Sequence, residues 1–104
     1  MKTYNLLINP FAELELEEAK DWYNLQQDYL GERFVKEIDK TIIRITENPF
    51  QFPKETKQIR KAIVNDFPYS IFFYVADNLI NVFAIFHSGR NPMIWKKRFR
   101  ERKK

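Results

Sequence analysis

Tyr69-Ser70-Ile71-Phe72-Phe73-Tyr74-Val75-Ala76 and Leu79-Ile80-Asn81-Val82-Phe83-Ala84-Ile85-Phe86-His87 are two apolar runs separated only by Asp77-Asn78. Aromatic and β-branched residues in such runs read as strands. Asp and Asn tolerate the left-handed backbone that a tight hairpin turn requires. Strict alternation points Ile80, Val82, Ala84 and Phe86 one way and Leu79, Phe83, Ile85 and His87 the other. Both sets are largely apolar, so this last strand is expected to be central, covered on both faces. The hairpin leads into His87-Ser88-Gly89-Arg90-Asn91-Pro92-Met93-Ile94-Trp95, which brings a His, an Arg and a Trp to the strand's C-terminal edge.

Before the hairpin, a third strand-like run spans Ile59–Phe67, preceded by a proline-punctuated loop over 49–57. Further back lie two helical patterns. Asn9 can cap a first helix with Pro10 at its first position, where a missing N–H costs nothing. At a 100° step, Phe11, Leu14, Ala19, Trp22, Tyr23, Leu25, Tyr29 and Leu30 share one broad face of a helix over 10–28. Glu13, Glu17, Lys20, Asp21, Asn24 and Asp28 take the other, and Glu15 and Glu18 intrude on the apolar arc. The aromatics Trp22, Tyr23 and Tyr29 are expected in the core rather than as a stacking platform for bases. Gly31 is expected to stop this helix. A second carries the stripe Phe34, Val35, Ile38, Ile42 and Ile45 and ends at Asn48-Pro49. So short a link predicts a helical hairpin. Tyr4-Asn5-Leu6-Leu7-Ile8 reads as a first strand. The sequence therefore predicts one α+β domain over 1–104, in the order β-α-α-β-β-β. The helical hairpin covers one face of a mainly antiparallel sheet.

Composition narrows the chemistry. With 104 residues, 44% of them hydrophobic and only two glycines, the chain can build one core. It has no cysteine and one histidine, which leaves no thiolate ligand set and no His-based zinc site, so no metal or other cofactor is expected. The N-terminus shows no leader pattern and no segment resembles a membrane span, so a cytoplasmic location is expected. The net charge of +4 is unevenly spread. Glu13, Glu15, Glu17, Glu18, Asp21 and Asp28 make an acidic front. Arg90, Lys96, Lys97, Arg98, Arg100, Arg102, Lys103 and Lys104 make a basic end, suited to an anionic partner. Residues 101–104 read equally as a frayed tail, whereas Trp95 and Phe99 call for a docking place.

No glycine-rich phosphate loop and no nucleophile elbow is present. Arg60, Lys61, Tyr74, His87, Arg90, Lys97 and Arg98 remain as polar side chains of the strands and the C-terminal segment. Converged, they would suit a metal-independent ribonuclease: His87 as base or acid, Arg60 and Arg90 stabilising phosphorane charge, Tyr74 as a second proton donor. Each also has an ordinary structural reading: a hydrogen-bonded strand histidine, surface arginines, a packed tyrosine.

Several features occur together in one order: Glu18-Ala19, Asp21-Trp22-Tyr23, Gly31…Phe34…Ile38, Asn48-Pro49…Phe52-Pro53, Arg60, Phe67-Pro68-Tyr69 through Tyr74, and Ala84-Ile85…His87-x-x-Arg90-x-Pro92-x-x-Trp95. This set resembles the RelE/ParE toxin superfamily, and its ParE-like branch in particular. The resemblance implies a toxin of a type II toxin–antitoxin system, neutralised by a cognate antitoxin. That antitoxin would place apolar anchors between the helical hairpin and the sheet, and acidic groups on the basic surface. In the superfamily, RelE-like members cut messenger RNA on the ribosome and ParE-like members poison DNA gyrase. Here Ser88 rather than Tyr follows His87, and Tyr69–Ala76 carries no charge. Both departures point away from the nuclease, while Pro68-Tyr69 and Arg90-x-Pro92 favour ParE. The resemblance therefore implies gyrase as target, with Arg60, Lys61, Arg90, Trp95, Lys97, Arg98 and Arg100 contacting target or antitoxin. The alternatives are a RelE-type endoribonuclease using Arg60, Tyr74, His87 and Arg90, which alone would make the chain an enzyme, and an inactive antitoxin-binding module.

Overall fold

The computed structural model describes residues 4–101; Arg102, Lys103 and Lys104 of the basic end lie outside them. The described chain runs β1 (Asn5–Ile8), α1 (Pro10–Gln26), α2 (Leu30–Glu47), β2 (Arg60–Ile63), β3 (Tyr69–Ala76), β4 (Leu79–His87) and α3 (Met93–Glu101), with a 3-10 turn at Pro49–Gln51. The sheet order is β1-β4-β3-β2. β1 joins β4 in parallel, and the β2–β3 and β3–β4 pairs are antiparallel. The α+β class, the helical hairpin and the central place of β4 agree with the sequence reading. Asp77 does take the left-handed conformation in the hairpin turn (φ 55°).

The inner face of the sheet, with Ala62, Ile71, Phe73, Ile80, Val82 and Ile85, packs on Ala12, Ala19, Tyr23, Phe34, Ile38 and Ile45 of the helical hairpin. The outer face is covered as well, by an element the periodicity did not reveal. α3 lays Trp95 flat on Phe72, with ring centroids 4.3 Å apart, and sets Phe99 against Tyr74 and Phe83. The docking place that Trp95 and Phe99 required is therefore the outer face of the sheet.

Four expectations are corrected. First, β4 does not alternate strictly. Phe72 pairs with Ala84 and Phe73 with Val82, so Phe83 is an extra residue, a β-bulge. Phe83 and Ala84 both join the outer cluster with Phe86, while Ile80, Val82 and Ile85 face the helices. Second, α1 ends at Gln26 and Tyr29 makes the turn in the left-handed conformation (φ 65°). Gly31 sits inside the first turn of α2, where its N–H donates to Asn24 Oδ1 at 2.6 Å. It serves close helix packing rather than termination. Third, α1 buries only Ala12, Ala19 and Tyr23; Phe11, Leu14, Trp22, Leu25 and also Tyr29 are exposed. The apolar arc of α1 is wider than the sheet beneath it. The strand expected over Ile59–Phe67 is also shorter, since its ladder covers only Arg60–Ile63.

Asn-Pro dipeptides start α1, the 3-10 turn and α3, whereas α2 begins after Tyr29 without a side-chain cap. Asn9 Oδ1 accepts from Phe11 N–H at 2.8 Å, Asn48 Oδ1 from Phe50 N–H at 3.2 Å, and Asn91 Oδ1 from Met93 N–H at 3.0 Å. In each, Asn satisfies an otherwise orphaned donor while Pro presets the backbone.

Candidate functional site

The bulge positions the site. β1 reaches along β4 only as far as Val82, so the β1-side edge of β4 beyond that point has no strand partner. Glu15 of α1 and Arg98 of α3 close it. Glu15 Oε1 accepts from Ile85 N–H at 3.0 Å, and Arg98 Nη1 donates to the Phe83 carbonyl at 2.9 Å. The two side chains also form a two-pronged pair, at 3.0 and 3.2 Å. Arg90 Nη1 lies 3.6 Å from Glu15 Oε2, and its guanidinium lies over the Phe86 ring at 4.9 Å. The acid that intruded on the apolar arc of α1 therefore serves the sheet edge.

At this end of the sheet the outer face opens into a recess of about 230 Å³. Ser70, Phe72 and Phe86 form its floor, and Trp95 and Pro92 form one wall. Lys61, His87, Ser88, Arg90 and Lys96 line it, with Glu55 opposite. The Lys61 ammonium is 4.0 Å from Glu55, and the Lys96 ammonium lies over the Trp95 ring at 5.6 Å. Three cations against one carboxylate make the recess electropositive, and its buried aromatic floor lowers the screening such charges meet in water.

His87 stands at the rim, with its ring turned to the helix side of the sheet, where it meets Tyr69. Its Nδ1 accepts from Gly89 N–H at 2.8 Å, which leaves the ring proton on Nε2. The ring meets Tyr69 edge-on at 5.2 Å. Burial raises the Tyr69 phenol above its ordinary value of 10.0; Tyr23 and Glu15 add to the rise and Arg90 opposes it. Tyr69 is thus held neutral beside His87.

The other residues named from sequence divide sharply. Lys61, His87 and Arg90 are brought together, and Trp95 forms the wall. Arg60 is not with them. It faces the helical side, donates to the Phe52 carbonyl at 2.7 Å and lies over the Phe50 ring at 5.1 Å. Arg60 pairs with Phe73 and His87 with Tyr69, four residues apart along β3, or about 14 Å. Tyr74 is packed on the outer face against Phe83 and Phe99. Arg98 is committed to Glu15 and Phe83. Lys97 is exposed beside Glu101 (3.9 Å), and Arg100 is exposed. Sequence reasoning missed Ser70, Ser88 and Lys96 as lining residues. Ser70 carried a signal, being the one small polar residue in a strand otherwise made of aromatic and aliphatic residues.

Among the described residues, no cluster of His, Asp or Glu could hold a metal ion, and no helix is long and apolar enough to cross a membrane.

A family model described as "ParE toxin of type II toxin-antitoxin system, parDE" matches residues 6–92. The chain belongs to the ParE toxin family. It is thus the toxin component of a type II toxin–antitoxin system, a class defined by pairing with an antitoxin. A solved structure titled "Chromosomal ParDE TA system from P. aeruginosa" shares the ParE-like fold. Its TM-score is 0.73 at 19% sequence identity, covering 82% of this chain and 96% of that one. No curated protein sequence matches. The family match stops at Pro92, one residue before α3. The bulge, Arg90 and most of the recess therefore lie within the family-matched part of this ParE toxin, whereas its Trp95 wall and Arg98 latch lie beyond it.

Proposed function

We propose that this ParE-family toxin arrests growth in the cytoplasm by binding DNA gyrase, without cutting messenger RNA. The observation that carries this reading is the dispersal of the residues a nuclease would need. Arg60 is spent on holding the 49–53 segment and Tyr74 on packing α3, so neither can reach a phosphate held beside His87. General acid–base catalysis needs its groups within hydrogen-bond reach of the same reacting atoms. What remains at the open end of the sheet is a cationic recess rimmed by Lys61, Arg90 and Lys96, next to the basic surface of α3. This surface suits an acidic protein face or a nucleic-acid backbone. The cognate antitoxin would compete for it with acidic side chains, Lys97 and Arg100 being the most accessible cations of α3.

The test is induction of the chain alone in bacterial cells, following growth, double-strand breaks and messenger integrity together. The expected result is arrest with breaks and intact message. The double substitution Lys61→Ala, Lys96→Ala should relieve arrest while leaving the fold unchanged. Arrest with cleaved message would instead assign the recess to ribosome-dependent cleavage, with His87 and Arg90 as its working groups. Absence of arrest in a folded, soluble protein would leave only antitoxin binding.

A further inference from the structure

The core uses only the alanine side of α1. On its far side Phe11, Leu14, Trp22 and Leu25 stand 60%, 54%, 56% and 83% exposed. At 100° per residue they fall within a narrow arc, with Glu18 at its middle. The seam runs from residue 11 to residue 25, about 21 Å at the helical rise. Four large apolar side chains in one line on a small protein mark a docking surface rather than scattered surface hydrophobes.

The charges around the seam say what kind of partner fits. Glu13, Glu17 and Asp21 flank it on one side and Glu18 sits within it. None of these four carboxylates has an ion-pair or hydrogen-bond partner among the described residues. Glu15, by contrast, is fully engaged with Arg98, Arg90 and Ile85 on the side turned toward the sheet edge. The acidic groups left over are therefore those that face outward beside the apolar line.

We infer that the outer seam of α1 docks an amphipathic helix of a partner protein, about four turns long, whose apolar stripe packs on Phe11, Leu14, Trp22 and Leu25 and whose basic side chains pair with Glu18, Glu17 and Asp21. A helix laid on a helix is the geometry such a line of anchors fits, and burying Glu18 demands an opposite charge across from it. Apart from its Phe11 end, where the Arg98 guanidinium lies over the ring at 5.2 Å, this surface differs in sign from the cationic recess, so the two can select different partners. The inference stands apart from the gyrase reading and does not depend on it.

The chain has two tryptophans. Trp95 is 2% exposed, so a change in tryptophan emission on docking reports Trp22. The probe is a synthetic amphipathic helix of about sixteen residues with a leucine stripe and flanking lysines. A sister peptide carries glutamates at the lysine positions. The lysine peptide is expected to blue-shift the emission and to bind about ten-fold more tightly than its sister. Glu18→Lys with Asp21→Lys should reverse that preference, and Leu25→Glu should abolish binding of both peptides. Those exposed positions leave the fold intact, which circular dichroism checks. Equal binding of the two peptides, failure of the charge swap to reverse the preference, or no binding would overturn the proposal. So would sedimentation showing a dimer that Leu25→Glu dissociates, because the seam would then belong to a second copy of the chain.

Discussion

Glu15 and Arg98, 83 residues apart, meet in a two-pronged ion pair across the open edge of β4, and each also bonds that edge directly. The pair replaces a missing strand. It satisfies the Ile85 N–H and the Phe83 carbonyl that the short β1 leaves open, and it ties α1, on the inner face, to α3, on the outer face. Buried backbone groups need such partners, and this need explains why a charged pair occupies an otherwise apolar setting.

Arg98→Ala should therefore destabilise the fold by about 3 kcal/mol, as expected when one partner of a poorly exposed pair is removed. It should also loosen α3. Urea unfolding followed by Trp95 emission would read both effects. A cycle with Glu15→Gln should show strongly non-additive losses. Additive losses would mean that the two side chains act separately.

Arg60→Ala should lower stability rather than toxicity. Its guanidinium holds the Phe52 carbonyl, so its removal should cost about 1–2 kcal/mol. The folded fraction should arrest growth as strongly as the parent. Full loss of arrest at unchanged stability would move Arg60 back among the functional residues.

Gly31→Ala should be costly although Gly31 has an ordinary helical backbone. An added Cβ would stand 2.6 Å from the Asn24 side chain and closer still to the Lys20 carbonyl. The two helices would have to separate, at about 1–3 kcal/mol. The check is the denaturation midpoint, with exposed Lys36→Ala as the comparison. A shift no larger than that control would contradict the close approach.

Stability should fall in alkaline solution because of Tyr69 and Tyr23. Burial raises both phenols above 10.0, so the unfolded chain loses these protons first. Their contribution is complete below pH 10 and is lost as pH climbs through the raised folded values. Tyr69→Phe should flatten this decline, measured as unfolding free energy between pH 8 and about pH 11. An unchanged slope would remove Tyr69 from the account.

Helix α3 was legible in principle. Asn91-Pro92 repeats the cap of Asn9-Pro10, and Trp95 and Phe99 stand one turn apart, but the dense Lys and Arg around them hide the apolar face of so short a helix. The site was legible only in part. Lys61 and Arg90 belong together with His87 at their edge, whereas Arg60, although next to Lys61 in sequence, faces away because consecutive strand residues point to opposite faces. That alternation was available in the sequence; which face would carry the recess was not.

Local chemistry set the elements of this protein: the hairpin turn at Asp77-Asn78, the two long amphipathic helices and the ending of α2 at Asn48-Pro49. Each depends on residues near one another in the chain, so pattern and propensity suffice. The bulge at Phe83, the seating of α3 on the outer face, the Glu15–Arg98 latch and the exposure of the α1 seam were decided by tertiary structure. They depend on where β1 stops against β4 and on how much of a wide apolar helix the sheet can cover. Both are properties of packing between distant segments, which no periodicity records.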